Sequence, residues 1–246
     1  MSDAQAVQVH ERSWRAPAAA VALVFPEVGM ERVARVGRVR GPLLIAISCA
    51  LLSAAAGMLR VDAKDATLRA MDKAGELQTS SDRQVEDATK SAERVYLVKR
   101  VASALVDPPL QLGVFCVAVF GLAWFFRGRT EGRAVPPVAA AALLPLAIAD
   151  ALEAVATFQH EAIAPDGPPS LPRTLADVWT AVAGHPAAAP VAKLLSAFDV
   201  FSFWSAFLLA FGLAAAAQMP RRRAVTGTLI AWLCVRLVTH VAMGGR

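Results

Sequence analysis

Five ionisable side chains lie inside apolar stretches of the sequence, and they are the residues best placed to do chemistry. Asp150 and Glu153 are three positions apart in one stretch, Asp199 lies in a second, and Arg236 and His240 are four positions apart in a third. Residues three or four apart share a face of a helix. Because a charge in hydrocarbon costs several kcal/mol unless it is paired or wetted, we expect a polar cluster that is shared between three helices.

Such a cluster allows three interpretations. The first is an arginine–carboxylate network that only fixes helix packing, and the second is a polar cavity, open to the outside, that binds a headgroup, an ion or a proton. The third is a metal site built from the three carboxylates and His240. With a single histidine near the carboxylates, the metal site ranks last.

Other signals of catalysis are absent from the sequence. It contains no glycine-rich phosphate loop, no nucleophile elbow and no HExxH pair. Cys49, Cys116 and Cys234 each lie within an apolar stretch, at spacings that resemble neither a metal site nor a disulfide framework. We therefore predict that the chain is not an enzyme and that it holds no metal or cofactor.

The helices that must position these residues are predicted by five apolar blocks. Hydrophobic residues make up 56% of the 246 positions and charged residues only 18%, with a mean hydropathy of +0.47. A soluble domain has about a quarter charged residues, whereas here the charges lie between the blocks. The sequence predicts an all-α membrane protein with five transmembrane helices, at residues 42–59, 110–126, 136–158, 194–218 and 224–243.

The arginines in the short flanks predict the orientation. Arg127, Arg129 and Arg133 join the second and third predicted spans, and Arg221–Arg223 join the fourth and fifth. With five spans, these flanks lie on the same side as the basic segment before the first span, and basic flanks are cytoplasmic. We predict a cytoplasmic N-terminus and an exterior C-terminus. The loop 159–193, whose basic residues are Arg173 and Lys193, is then exterior.

The net charge of +5 and the isoelectric point near 9.6 arise mainly at the ends of the blocks, which indicates anionic lipid as a partner and not nucleic acid. The stretch Glu31–Arg40 alternates valines with basic residues and predicts a helix on the cytoplasmic surface, against lipid. An ordinary positive-inside anchor is the alternative interpretation. The basic residues of this segment are Arg32, Arg35, Arg38 and Arg40.

The long linker between the first two spans, residues 60–109, predicts an exterior helical hairpin. Apolar residues recur at helical spacing on both sides of a polar break at 79–82, and Ser81 or Asp82 is expected to cap the second arm. A second exterior segment, 171–182, carries its apolar residues on one helical face and is also predicted to be amphipathic.

The run from Leu194 to Leu213 resembles the fourth helix of bacterial Yip-domain proteins, which are relatives of the eukaryotic Ypt/Rab-interacting membrane proteins. In that pattern an aspartate, an aromatic residue and a tryptophan precede a leucine-rich stretch that ends in glycine. The matching positions, with the tryptophan of the last helix, are Asp199, Phe201, Trp204, Gly212 and Trp232. The resemblance extends from about Phe25 onward and implies a tail at 1–24 followed by one domain at 25–246.

This resemblance implies five transmembrane helices with a cytoplasmic N-terminus, as the arginine count does. Eukaryotic members are linked to Rab GTPases, vesicle trafficking and membrane shaping, but a bacterial chain has no Rab partner. We expect a scaffold or accessory protein of the cell inner membrane that organises lipid and packs with itself or a partner membrane protein. The alternative is a transport component, in which the polar cluster is a substrate or ion site.

Overall fold

The computed structural model describes residues 18–60, 63–76, 78–159 and 171–242. In these ranges the chain is helical, with one isolated antiparallel bridge, between Thr174 and Asp199. The helices are α1 (Ala18–Val24), α2 (Pro26–Val36), α3 (Arg40–Arg60), α4 (Ala63–Lys73), α5 (Asp82–Phe125), α6 (Val135–Ala142), α7 (Leu144–Gln159), α8 (Leu175–Ala183), α9 (Ala189–Ser196), α10 (Val200–Ala216) and α11 (Arg221–Ala242).

Several of these helices have the length and composition of membrane spans. Within the described ranges, α3, α5 and the α6–α7 unit are long and apolar enough to cross a bilayer, and α10 is a shorter apolar helix. Residues 224–242 of the fifth predicted span lie in α11. The prediction of an all-helical protein with membrane-spanning helices is therefore confirmed, whereas the number of five spans and their orientation stay predictions.

Three helix boundaries differ from those that the hydropathy pattern predicts. The second span is not a separate helix, because α5 runs for 44 residues from the linker through Pro108 and Pro109. The third is interrupted at Leu143, next to the kink that Pro145 predicts, since Pro145 has no N–H to donate to the carbonyl of Ala141. The fourth is interrupted at residues 197–199, where Asp199 begins a new helix.

The linker forms two helices, α4 and α5, that pack against each other. The N-terminal cap of α5 is Ser81. Its Oγ accepts a hydrogen bond from the backbone N–H of Gln84 at 3.4 Å, and the Gln84 Oε1 accepts one from the Ser81 N–H at 2.9 Å. This reciprocal capping box satisfies two N–H groups that the first helical turn leaves free.

The core is built around α10, which packs against α2, α6, α7 and α11. Leu208 and Leu213 of α10 are fully buried, and they share a hydrophobic cluster with Val138 of α6 and Met30 of α2. A second, smaller cluster joins α3 to α7 through Ala46 and residues around Leu143. These two clusters hold α7 and α10 in the bundle.

The basic segment before the first span is more than a surface helix. Met30 and Val33 of α2 are buried in the core, although Arg35, Arg38 and Arg40 are exposed. Arg221, the first residue of α11, forms ion pairs with Glu27 and Glu31 of α2. The α2 helix therefore packs as part of the bundle, with only its outer face free for lipid.

Candidate functional site

The two carboxylates of α7 share one arginine from the loop that precedes α8. Arg173 donates from Nη2 to Asp150 Oδ1 at 2.9 Å, and its Nη1 lies 2.9 Å from Glu153 Oε2. The three side chains are between about a fifth and a third exposed. Because Asp150 and Glu153 are one turn apart on the same face, a single guanidinium reaches both. We call these three residues the Arg173 cluster.

A second cluster forms at the start of α10. Asp199 is the N-cap of this helix, and its Oδ1 accepts a hydrogen bond from the Phe201 N–H at 2.9 Å. The hydroxyl of Ser202 donates to Asp199 Oδ2 at 2.7 Å. Arg236 of α11 donates to Ser202 Oγ and lies 3.6 Å from Asp199 Oδ2. Asp199, Ser202 and Arg236, the Asp199 cluster, thus stabilise the positive end of α10 and join it to α11.

A short piece of antiparallel backbone connects the two clusters. Leu175 N–H donates to the carbonyl of Phe198 at 2.9 Å, and Val200 N–H donates to the carbonyl of Arg173 at 3.2 Å. Thr174 between them caps α8, in a capping box with Asp177. The segment that carries Arg173 is therefore fixed to the start of α10, and both clusters lie at the same end of the helices.

The structure separates residues that the sequence places in one cluster. Asp150 and Glu153 pair with Arg173, whereas Asp199 pairs with Arg236. The side chain of His240 lies outside the described residues. Within the described ranges, no group of three His, Cys, Asp or Glu side chains is arranged to hold a metal ion.

Sequence reasoning missed the role of Arg173 and of Ser202. Arg173 is one of only two basic residues in the loop 159–193, which directly follows the helix of Asp150 and Glu153. Two carboxylates in an apolar helix need a cationic partner, so this loop arginine could have been predicted to pair with them. Ser202 lies three residues after Asp199, a spacing at which the side chains of a helix cap meet.

The motif residues have identifiable structural roles. Asp199 caps α10, and Trp204 packs against the main core. Gly212 lies where a Cβ would overlap Val138, so it allows α10 and α6 to approach closely. The Trp232 ring of α11 packs edge-on against Phe203 at 5.5 Å between centroids and lies 6.1 Å from Phe198. Phe201 is half-buried, and its backbone N–H donates to the Asp199 cap.

A second polar region lies at the opposite end of the helices, between the α5–α6 loop and the α10–α11 turn. Here Glu131 N–H donates to the Ala216 carbonyl at 3.1 Å, and Gln218 Nε2 donates to Glu131 Oε1 at 2.9 Å. A Cβ on Gly128 would stand only 3.1 Å from the Cβ of Ala217. Beside these contacts lies an open cavity of about 390 Å³, lined by Phe126, Arg127, Gly128, Arg129, Gln218, Met219, Pro220 and Arg223.

The same end carries the ion pairs between α2 and α11. The hydrogen bond from Arg221 to Glu31 is 2.8 Å long, and a second one reaches Glu27. The hydrogen bond to Glu31 is the largest cause of a raised pKa for Arg221, which stays charged throughout the physiological range. Arg221 is thus occupied by carboxylates, unlike the arginines that line the cavity.

Neither curated proteins nor solved structures give a significant match to this chain. A family model described as the Yip1 domain does match, over residues 21–243, which is most of the chain. The match confirms the resemblance to the Yip-domain family, whereas the individual motif positions stay predictions. The protein is therefore a member of the Yip1-domain family of membrane proteins.

Proposed function

We propose that the protein is a non-enzymatic scaffold of a bacterial inner membrane, which organises anionic lipid and partner membrane proteins. In this proposal five helices span the bilayer, the N-terminus is cytoplasmic and the C-terminus is exterior. The basic turns at 127–133 and 221–223 then lie at the cytoplasmic headgroup level, and the Arg173 and Asp199 clusters lie towards the exterior.

One observation carries this proposal, namely that one end of the bundle presents three arginines without ion pairs in the described part of the chain, next to the paired Arg221. At the end with Asp150, Glu153 and Asp199, each carboxylate has an arginine partner. At the other end, the guanidinium groups of Arg127, Arg129 and Arg223 have no ion-pair partner among the described residues. Paired charges stabilise helix packing, whereas unpaired arginines at a membrane surface attract anionic lipid.

The test is the lipid composition around the protein after extraction in a polymer that preserves the surrounding bilayer. We expect phosphatidylglycerol and other anionic lipids to be enriched relative to the bulk membrane, and partner membrane proteins or further copies of the chain to be retained. A combined replacement of Arg35, Arg38 and Arg40 by glutamine, all exposed, should reduce the enrichment. A monodisperse monomer whose lipids match the bulk membrane would contradict the proposal.

A transport component is the second candidate, and one observation favours it. Arg173 Nε is buried and has no hydrogen-bond partner among the described residues, so it could donate to a bound anion or water. If the Arg173 cluster is a transport site, an Arg173→Lys variant should fold and lose a ligand-dependent stabilisation or flux across proteoliposomes. A screen of small anions that finds neither effect in the natural sequence removes this candidate.

A further inference from the structure

We propose that the cavity between the α5–α6 loop and the α10–α11 turn is a specific binding site for a phosphate group. This inference deepens the proposed function and rests on it for the lipid as the expected source. Three arginines, Arg127, Arg129 and Arg223, line the cavity. The Glu131 carboxylate next to it accepts a hydrogen bond from the lining residue Gln218. A phosphate, with several strong acceptor oxygens, is a ligand that guanidinium groups bind through charge-assisted hydrogen bonds.

The loop geometry holds the first of these arginines in place. At the end of α5, Gly128 N–H donates to the carbonyl of Ala123 at 2.8 Å and Arg127 N–H donates to that of Trp124 at 3.1 Å, the pattern of a Schellman cap. Arg127 occupies the left-handed cap position, with φ of 54°, where glycine is the usual residue. An arginine at this position is strained, and strained residues concentrate at functional sites.

The facing turn is built in a similar way. Gln218 follows α10 with φ of 49°, and Met219 N–H donates to the carbonyl of Ala214 at 3.2 Å. Immediately afterwards α11 begins at Arg221. The N–H groups of Arg223 and Ala224 donate to the Pro220 carbonyl, at 3.0 and 3.2 Å, whereas those of Arg221 and Arg222 precede the first helical hydrogen bond. The positive end of α11 therefore lies beside the cavity and adds to the attraction of Arg223 for an anion.

The depth of the cavity favours a lipid as the source of the phosphate. Trp124 and Phe125, directly before the loop, are 82% and 71% exposed. Exposed aromatic residues next to an apolar helix lie at the level of lipid headgroups. The volume of about 390 Å³ accommodates a phosphodiester headgroup and also a free phosphate. The shared chemistry is the phosphate group, and the two sources must be separated by experiment.

The experiment uses the full-length protein in neutral detergent micelles, with native mass spectrometry as the readout. Phosphatidylglycerol and phosphatidylcholine are titrated separately, and inorganic phosphate is titrated in a parallel thermal-unfolding assay. Arg223→Gln tests the cavity, and Arg222→Gln is the matched control, because it removes the same charge from the adjacent residue, which does not line the cavity. Arg127→Gly is a second test variant that fits the left-handed backbone.

We expect one saturable phosphatidylglycerol molecule on the natural sequence and on Arg222→Gln. Its affinity should fall about fivefold in each test variant, as estimated for one basic residue at an anionic surface. Saturable stabilisation by inorganic phosphate that the test variants lose, without lipid retention, would support the site and identify a free phosphate as its source. Equal losses in Arg222→Gln and Arg223→Gln, or no saturable binding of either probe, would overturn the proposal.

The site and the proposed function can fail separately. If anionic lipid is enriched around the natural sequence and the test variants alike, the lipid-organising role stands and the specific site does not. If the natural sequence shows no enrichment and binds only inorganic phosphate, the site stands and the lipid-organising role does not.

Discussion

Gly212 of α10 packs against Val138 of α6 with no room for a methyl group between them. A Cβ on Gly212 would overlap Val138 Cγ1 and stand 2.8 Å from Met30 Cε of α2. Three helices therefore meet at this glycine. Gly212 also ends the leucine-rich stretch of the run that resembles the Yip-domain pattern, and in this protein the position has no room for a side chain.

The first prediction concerns this contact. Gly212→Ala should lower the free energy of unfolding by about 1–3 kcal/mol, because a fully buried Val138 can yield little space. Thermal unfolding in detergent measures the effect. Gly121→Ala in α5 is the matched control, since a Cβ there meets no atom within 4 Å. An unchanged midpoint for Gly212→Ala would contradict the close packing.

The second prediction concerns the Arg173 cluster. Arg173→Gln leaves Asp150 and Glu153 without their partner and should destabilise the fold by about 1–3 kcal/mol, less than for a fully buried pair because the side chains are partly exposed. Adding Asp150→Asn and Glu153→Gln should restore most of the loss. Equilibrium unfolding of the single and combined variants checks this, and purely additive losses would show that the three side chains do not act together.

The third prediction concerns the ion pairs between α2 and α11. Arg221→Gln should increase hydrogen exchange in Pro26–Val36 and leave α10 unchanged, because Glu27 and Glu31 lose their partner. The folded-state pKa of Arg221 is raised, so its contribution to stability is complete at lower pH and is lost only as the pH rises through that pKa, far above neutrality. Arg221 itself should therefore cause no loss of protection between about pH 6 and pH 9. Replacement of the exposed Arg222 by glutamine is the control. Equal hydrogen exchange of Pro26–Val36 in the natural sequence, Arg221→Gln and Arg222→Gln would count against the pairing.

The fourth prediction concerns the left-handed residues at the two turns. Arg127→Gly should raise the free energy of unfolding by about 1 kcal/mol, because glycine adopts a positive φ without steric cost. Gln218→Gly should act in the same direction but also removes the hydrogen bond to Glu131, so a smaller gain is expected. Thermal unfolding of both variants tests this. A destabilised Arg127→Gly protein would argue against the left-handed conformation.

The fifth prediction concerns orientation. A reporter fused after Arg246 should be active on the exterior side of the membrane, and one fused before Met1 on the cytoplasmic side. This follows from five spans with the basic turns inside. Cysteine-accessibility labelling at Gln78 in the linker is an independent check, because an exterior linker reacts with impermeant reagents. A cytoplasmic reporter after Arg246 would remove the five-span topology.

Much of the local architecture can be predicted from the sequence. Apolar blocks reveal membrane helices, and the cap at Ser81 follows from a polar break before a helical repeat, because both depend on neighbours in the chain. The partner of Asp150 cannot be found in this way. Arg173 is 23 positions away, and only the packing of α7 against the start of α10 brings its segment within reach.

Two errors of boundary have physical causes as well. Hydropathy places Asp199 inside a span, because one acidic residue among many apolar ones barely changes a window average. The structure uses that carboxylate as a helix cap instead. The prolines predict that a helix begins at Pro108. In the structure α5 continues through Pro108 and Pro109, although neither residue has a backbone N–H to donate within the helix.

The unbroken course of α5 has a mechanical consequence. A helix of 44 residues is about 66 Å long, roughly twice the thickness of the hydrocarbon core. Its first half extends beyond the bilayer and is braced along its side by α4. A lateral force on the N-terminal end of α5 would tilt its apolar C-terminal half, because the two halves form one continuous helix. Such a tilt would displace Val119 and Ala123, the residues through which α5 packs into the core beside the arginine-lined cavity.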